Sequence, residues 1–478
     1  MIFYLRRILL FLLLSFIFIL MACTNSADIL PTATYSITNT PTLLVEPAIP
    51  TTTARPPVAA PEGISEAQEH DLTIAFGNTF SNTLANQPDD SLLGEQLLSL
   101  AETAEKLRGL ETLEAITFEV MSGDALLVEL QAQLSEDYPE ERLRAEQQML
   151  KLLGLIPPAA DLEALYLQLY GSEIAGYYEP DANTFFLIRE QALTEPLPLM
   201  ERITFFHEYI HALQDQHFNL LHYTDKEVQQ TRNYDQNRAY QALIEGDAQW
   251  STLLYLANAL TIEEIEQLAE VNDEIGNEMD DMPPFLRDSL IFPYVEGQLF
   301  VQEFQQTFGW ESVNEMWFQV PVSTEQILHP EKYPYDMPTE VNLPTGLAEA
   351  LGDGWREALR EVWGEFNLLL LLQQQPLNSI RPMQAAAGWD GDQYLYLIRG
   401  EQGVFVMEMV WDSRSDRAEG QTALLEWLRS SGFVATTPHH LEANKRFAYI
   451  SSANKHLFFA LATDQGPLET VVTQLGWQ

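Results

Sequence analysis

The sequence contains a single cysteine and few basic residues. Cys23 is the only cysteine among 478 residues, which excludes a disulfide within the chain and a metal site built from several cysteines. Lys and Arg total 25 against 70 Asp and Glu, for a formal net charge of −45. Because phosphate binding needs a basic face, this balance argues against a nucleic-acid partner. We interpret the acidity as a solvated surface.

The N-terminus carries an apolar run that is too short for a comfortable membrane span. Arg6 and Arg7 precede it, and the apolar residues are 8–20, an order typical of a signal peptide. The run ends in Leu-Met-Ala-Cys at 20–23, which resembles a bacterial lipobox. We therefore expect an extracytoplasmic protein that is anchored to the bacterial cell membrane through a lipid on Cys23. An ordinary cleaved signal and an uncleaved anchor helix are the alternatives, and both also place the body outside the cytoplasm.

After the signal peptide at 1–23, composition divides the chain into four segments. Residues 24–66 are rich in Thr and Pro and cannot bury enough apolar surface to fold, so they are expected to form a disordered tether. Residues 67–170 have helical spacing of leucines, 171–345 hold the residues suited to chemistry, and 346–478 alternate strand-like runs with turns. The sequence thus predicts a predominantly helical α+β protein with a small α+β domain at its C-terminus.

Local patterns predict the elements of the middle segment. Two aromatic runs flank turn residues and predict a β-hairpin over 174–188. Long helices are predicted over about 198–217 and 237–259. Pro283 and Pro284 are expected to open a less regular region that includes 293–297.

In the C-terminal segment, strands are expected around 394–397, 404–407 and 447–450, with a helix at 422–429.

The first of the two long helices contains His207-Glu208-Tyr209-Ile210-His211. A helix turns about 100° per residue, so the two histidines at i and i+4 project from one face and can reach one metal ion. Glu208 lies on a neighbouring face, from which its carboxylate can act on a water at the metal without becoming a ligand. His207 and His211 are therefore predicted Zn²⁺ ligands, with Glu208 as the general base.

A hydrolytic zinc site needs a third protein ligand and one open position. Glu245 is the favoured ligand because a carboxylate in an apolar helical stretch needs a partner. His217 is a rival, but it lies six residues after His211 and would point about 240° round a continuous helix. Glu296 is a further alternative to Glu245. Asp215 lies on the ligand face and could orient an imidazole N–H.

These motifs resemble the gluzincin group of zinc metallopeptidases, in which His-Glu-x-x-His is followed by a Glu on a later helix. The chain also resembles uncharacterised bacterial secreted proteins in four stretches: 211–218, 245–248, 293–297 and 323–333. The resemblance implies a zincin-like core. Many gluzincins carry Asp four residues after the ligand Glu, whereas this chain has Gln249 there and its acidic residue is Asp247, on another face.

The resemblance also implies where a substrate would bind. The hairpin at 174–188 would be the sheet edge on which a peptide backbone pairs as an added strand. A downstream His or Tyr would stabilise the oxyanion, and His329 is the favoured residue for this role, with Tyr333 and Tyr294 as alternatives.

The function expected from the sequence is zinc-dependent hydrolysis of peptide bonds in peptide or protein substrates outside the cytoplasm, by a membrane-tethered lipoprotein. The alternative is a non-catalytic envelope lipoprotein that uses the same scaffold to bind a peptide or a cell-wall partner. A third interpretation is a lipoprotein for metal binding or assembly. The presence of Glu208 favours the enzyme, since a degenerate enzyme often loses its base first. No oligomeric state is predicted.

Overall fold

The computed structural model describes residues 92–477 except 138, 174, 190–195, 221–225 and 270–281. The expected signal peptide, Cys23, the tether and the start of the N-terminal helical region lie outside the described residues. Within them the chain has an α+β fold with two sheets. Among the described helices, none combines the length and apolarity needed to cross a bilayer.

The first part of the fold combines long helices with a three-stranded sheet. In chain order the elements are α1 (Leu92–Arg108), β1 (Thr117–Met121), α2 (Gly123–Asp137), α3 (Glu140–Leu153), α4 (Leu162–Glu173), β2 (Gly176–Glu179), β3 (Thr184–Ile188), α5 (Leu199–Phe218), α6 (Lys226–Gln230), α7 (Tyr234–Ala259), α8 (Pro284–Phe308), α9 (Trp310–Met316) and α10 (Thr324–Leu328). The strand order is β1-β3-β2, with β1 parallel and β2 antiparallel to β3. Strand β2 is therefore an edge of this sheet.

The second part is built on a seven-stranded antiparallel sheet. Its elements are α11 (Leu347–Leu351), β4 (Arg356–Glu361), α12 (Gly364–Gln373), α13 (Pro382–Ala386), β5 (Trp389–Arg399), β6 (Gln402–Trp411), α14 (Arg414–Ser430), β7 (Val434–Ala435), β8 (His440–Ala443), β9 (Arg446–Ala453), β10 (His456–Ala462) and α15 (Gln465–Gln474). The strand order is β4-β5-β6-β10-β9-β8-β7. The strands and the helix expected for this segment are confirmed.

The hydrophobic core is shared between the two parts. One continuous cluster of buried side chains includes Leu93 of α1, Phe206 of α5 and, from the large sheet, Trp411 and Phe459. A second, smaller cluster, defined by side chains such as Val471 of α15, covers the other face of that sheet. The large sheet thus buries one face in a core that it shares with the preceding helices, and α12 and α14 also pack there.

Strand β1 ties the N-terminal helical region to the centre of the molecule. It pairs in parallel with β3 in the register Thr117↔Thr184 to Met121↔Ile188. The segment boundary expected near residue 170 therefore separates β1 from β2 and β3, although all three strands belong to one sheet.

The hairpin and the two long helices predicted for the middle segment are confirmed. Helix α5 ends at Phe218, because the next residue, Asn219, has a left-handed conformation (φ 60°) that stops the helix. Helix α7 begins at Asn233, which accepts a hydrogen bond from the Gln236 backbone N–H while the Gln236 side chain accepts one from the Asn233 N–H.

The prediction of a less regular region after Pro283 is wrong, since Pro284–Phe308 form one helix of 25 residues with Pro293 inside it. Pro284 is accommodated in the first turn, where its missing N–H has no helical partner in any case. Pro293 leaves the carbonyl of Ser289 without its intrahelical donor. The buried Arg238 of α7 fills this gap, because its Nη2 donates to Ser289 O. A partner on another helix therefore stabilises a proline that the local sequence marks as a breaker.

Candidate metal centre

Helices α5 and α7 bring together the three predicted ligands. Among the described residues, His207, His211 and Glu245 each offer one ligand atom within 4.8 Å of the others. The Nε2 atoms of His207 and His211 lie 3.5 and 3.4 Å from Glu245 Oε2, and the two imidazole centroids are 4.8 Å apart. Two imidazoles and one carboxylate make up a ligand set that catalytic zinc sites use. The geometry thus makes this cluster a candidate metal centre.

The polar atoms that face one another in this cluster have no hydrogen-bond partner among the described residues. They are His207 Nε2, His211 Nε2 and both carboxylate oxygens of Glu245, and every one of them is buried. A buried polar atom without a partner costs free energy, about 1–3 kcal/mol and more for a charged group. A bound cation would satisfy all four atoms at once, so the residues present fit a divalent metal ion.

Burial sets the protonation states that metal binding needs. It lowers the pKa of His207 to about 4, which keeps that imidazole neutral at physiological pH. Burial opposes ionisation of Glu245, but its interactions with His211 and then His207 outweigh burial and lower its pKa below the ordinary value. A neutral imidazole and an ionised carboxylate are the forms that coordinate a metal.

Glu208 lies beside the cluster and is held by the small sheet. Its Oε2 accepts a hydrogen bond from the backbone N–H of Tyr178, on the edge strand β2, at 2.9 Å. Its Oε1 is buried and has no hydrogen-bond partner in the part of the chain that the structure describes. Burial, and then the charge of Glu245, raise the pKa of Glu208 well above its ordinary value, while the Tyr178 N–H opposes this. The arrangement gives one anchored oxygen and one available oxygen.

Two glycines let the ligand-bearing helix approach its neighbour closely. A Cβ on Gly246 would lie 2.2 Å from the carbonyl carbon of Gly297, and a Cβ on Gly297 would lie 2.1 Å from Ala242 O. Helices α7 and α8 therefore cross in backbone contact directly beside Glu245. The same crossing brings Tyr294 of α8 to the cluster, with its ring centroid 6.4 Å from that of His207.

The rival ligands lie in other surroundings. The Nε2 of His217 is 2.7 Å from the carbonyl oxygen of Glu111, and Glu296 is not among the described residues that form the cluster. Asp215, expected to be able to orient an imidazole, accepts a hydrogen bond from the Tyr178 hydroxyl at 3.1 Å. Of the alternatives for the third ligand, Glu245 is the one whose carboxylate lies between the two imidazoles.

Of the three oxyanion candidates, Tyr294 is the one whose ring lies against a predicted ligand. His329 Nε2 is 2.9 Å from Glu365 Oε1, and Tyr333 donates its hydroxyl proton to Gln319 O at 2.6 Å. The favoured His329 thus has an acidic partner of its own, on the first turn of α12.

The sequence did not identify the groups that contact the far side of each imidazole. His207 Nδ1 is 3.4 Å from Thr252 Oγ1, and His211 Nδ1 is 2.8 Å from Gln214 Oε1. Helical spacing offers a signal for both, because Thr252 lies two turns after Glu245 and Gln214 one turn after His211. No sequence pattern points to the Tyr178 N–H, which reaches Glu208 from a separate sheet.

The acidic residue Asp247 has a structural partner away from the ligands. Arg108 of α1 makes two hydrogen bonds to it, Nε to Oδ1 at 2.6 Å and Nη2 to Oδ2 at 3.0 Å, and both side chains are fully buried. Gln249, at the position where many gluzincins have Asp, is buried with no hydrogen bond to its side-chain amide among the described residues. Neither residue replaces the missing carboxylate.

A second acidic group, Glu325, Asp336 and Asp412, also has the spacing of a metal site. The ammonium group of Lys332 lies among these carboxylates, at 2.5, 3.5 and 2.8 Å respectively. This cluster therefore already has its cation, and it links α10 to the end of β6.

Comparison with known proteins bears on the second part of the fold. Residues 353–454 match a family model described as a domain of unknown function (DUF8575). The matched range contains strands β4 to β9 of the large sheet and none of the candidate metal ligands. No curated protein and no solved structure matches the chain.

Proposed function

We propose that this protein is a zinc-dependent peptide hydrolase of gluzincin type with a zincin-like core. The observation that carries the proposal is the convergence of His207, His211 and Glu245, whose buried and unpartnered atoms face one another beside Glu208. The motif resemblance supports peptides or proteins as the substrate class. The apolar N-terminus ending at Cys23 supports a location outside the cytoplasm on a lipid anchor.

In the proposed mechanism, His207, His211 and Glu245 would hold Zn²⁺. When bound, the ion would supply a Lewis acid that polarises a carbonyl and lowers the pKa of water to about 7. Glu208 Oε1 would accept a proton from the attacking water, while Oε2 stays on the Tyr178 N–H. The same carboxyl group would then give the proton to the leaving amine.

Two neighbouring features would handle the substrate. Strand β2 is a sheet edge that adjoins Glu208 through Tyr178, so a peptide could pair there as an added strand. Tyr294 lies against His207 and is the better placed residue for stabilising an oxyanion. We accordingly assign that contribution to Tyr294 in place of His329.

The experiment compares zinc content and peptide hydrolysis of the purified protein with those of Glu208→Gln. We expect near-stoichiometric zinc in both, and a loss of hydrolysis of at least about 100-fold in the variant, since general-base catalysis contributes about 10²–10⁴-fold. Glu201→Gln is the control, because Glu201 lies on the same helix and pairs with Arg189. Unchanged hydrolysis in Glu208→Gln would refute the mechanism.

The ligand set is tested in the same preparation. Glu245→Ala should lose zinc, whereas His217→Ala should keep it because His217 contacts the Glu111 carbonyl. The reverse pattern would show that the third ligand is His217.

The burial of the centre favours a second candidate function, a non-catalytic lipoprotein that uses this scaffold to bind a peptide or cell-wall partner. His207, Glu208 and Glu245 are 0% exposed and His211 is 2% exposed, so a substrate reaches them only after the surrounding packing opens. Stoichiometric zinc together with no peptide hydrolysis by the unmodified protein would favour this second function.

A further inference from the structure

Each imidazole of the metal centre has a neutral hydrogen-bond partner on its Nδ1 side. For His207 this partner is Thr252 Oγ1, at 3.4 Å. The Thr252 hydroxyl donates its one proton to Ala248 O, at 2.8 Å. Because a hydroxyl has a single proton to give, its oxygen is left to accept from His207 Nδ1. The proton of the His207 imidazole is thereby placed on Nδ1.

The partner of His211 is Gln214, which lies on the same helix α5 and is fixed by a contact to α7. Gln214 Nε2 donates to the backbone carbonyl of Ile244 at 3.0 Å, which fixes which end of the amide is nitrogen. The opposite end, Gln214 Oε1, lies 2.8 Å from His211 Nδ1. An amide oxygen can only accept, so His211 also carries its proton on Nδ1. The same Gln214 ties α5 to the residue that precedes Glu245.

In its neutral form, each imidazole then presents an unprotonated Nε2 to the same place. These Nε2 atoms are buried, have no hydrogen-bond partner among the described residues, and lie 3.5 and 3.4 Å from Glu245 Oε2. A metal ligand nitrogen must offer a lone pair, and the hydrogen bond at the other ring nitrogen decides which nitrogen that is.

We propose that Thr252 and Gln214 are positioning residues that fix His207 and His211 in the Nδ1-protonated tautomer before any metal binds. The proposal rests on the proposed metal site but not on peptide hydrolysis. Thr252 and Gln214 take the place of the carboxylate that many gluzincins have four residues after the ligand Glu, where this chain has Gln249. Both partners are uncharged, so they orient the rings without adding the negative charge by which a carboxylate raises ligand basicity.

The first test reads the tautomers directly in metal-free protein. Histidine-selective ¹⁵N and ¹³C labelling allows the ring-nitrogen and Cδ2 shifts of His207 and His211 to be assigned by loss of a signal in His→Gln variants. For the neutral form of each ring, we expect the proton on Nδ1. A proton on Nε2 of both rings would overturn the proposal, whether or not the protein hydrolyses peptides.

The second test measures the zinc dissociation constant with a competing chelator. Thr252→Val and Gln214→Met remove the acceptors at nearly constant volume and should each weaken zinc binding by about 10–100-fold. Thr252→Ser keeps the hydroxyl and should restore binding to near that of the unmodified protein.

Matched controls separate orientation from general damage to the helices. Thr204→Val removes a buried hydroxyl on α5, and Gln249→Met removes a buried amide on α7, and neither group has a hydrogen-bond partner among the described residues. Both controls should bind zinc within about twofold of the unmodified protein, since they alter no contact to an imidazole. Equal weakening in variants and controls, or none in either, would overturn the proposal. If a variant does not fold, the tautomers measured in the unmodified protein still test the proposal.

Discussion

The His329 side chain forms a charged pair where α10 meets α12. Its hydrogen bond to the buried Glu365 raises the pKa of His329 above its ordinary value, although partial burial opposes this. Glu331 reinforces the shift and Lys332 weakens it. A histidine with a raised pKa in the folded state stabilises the fold at low pH, and this contribution disappears as the pH rises through the folded-state pKa.

The variant His329→Gln should therefore change the pH dependence of stability. Glutamine can still donate to Glu365 but cannot carry a charge. The unmodified protein should exceed the variant in unfolding free energy by about 1–2 kcal/mol near pH 6, less than the about 1.5–3 kcal/mol typical of hydrogen bonds to charged groups because glutamine keeps a donor. This difference should shrink towards pH 9, above the ordinary histidine pKa. Urea unfolding at the two pH values measures it, and a difference that grows with pH would contradict the assignment.

At the scale of elements, the crossing of α7 and α8 places the third ligand. Glycines at 246 and 297 allow backbone contact, and Glu245 and Tyr294 lie within a turn of that contact. A side chain at either glycine has to push the helices apart, because the nearest atoms are backbone atoms of the other helix.

Gly297→Ala should consequently destabilise the protein and weaken zinc binding together. Alanine in a helix is normally favoured over glycine by about 1 kcal/mol, but here its Cβ would lie 2.1 Å from Ala242 O. We expect a net loss of about 1–3 kcal/mol in unfolding free energy, as for overpacked cores. Gly466→Ala is the control, since Gly466 lies in α15 with open space around it and should gain stability. A stable Gly297→Ala variant with unchanged zinc affinity would show that the crossing does not position Glu245.

The same two helices show which elements could be predicted from the sequence. The spacing of His207 and His211 and the apolar stretch around Glu245 are local patterns, so these candidate ligands could be identified from the sequence, whereas their meeting depends on the packing of α7 on α5. The continuity of α8 through Pro293 depends on Arg238, which is distant in sequence and has no local signature. The Tyr178 contact to Glu208 is likewise non-local, because it requires the packing of β2 on α5.

At the scale of the whole molecule, the large sheet and the helical part share one hydrophobic core. Trp411 and Phe459 of the sheet belong to the same buried cluster as Phe206, the residue before His207. Lys332 adds a polar link, because its ammonium group contacts both Glu325 of α10 and Asp412 beyond β6. The sequence distinguishes a C-terminal α+β segment, yet packing joins it to the rest.

Thermal or urea unfolding should therefore show one cooperative transition across both parts. Near-ultraviolet circular dichroism, which reports on buried aromatic packing, and far-ultraviolet circular dichroism should give coincident midpoints. Residues 346–478 produced alone should expose one apolar face of the sheet and aggregate or remain unfolded. A separate transition, or a well-folded isolated segment, would show that the shared core contributes little to stability.

The burial of the metal centre also affects how an ion enters and leaves. With His207 and Glu245 fully inaccessible and His211 nearly so among the described residues, an ion reaches the ligands only when the packing around them opens. The rates at which an ion enters and leaves are then limited by how often that packing opens as well as by how tightly the ligands hold the ion. Exchange of a bound ion with the solution should therefore be slow, so that affinity measurements need long equilibration.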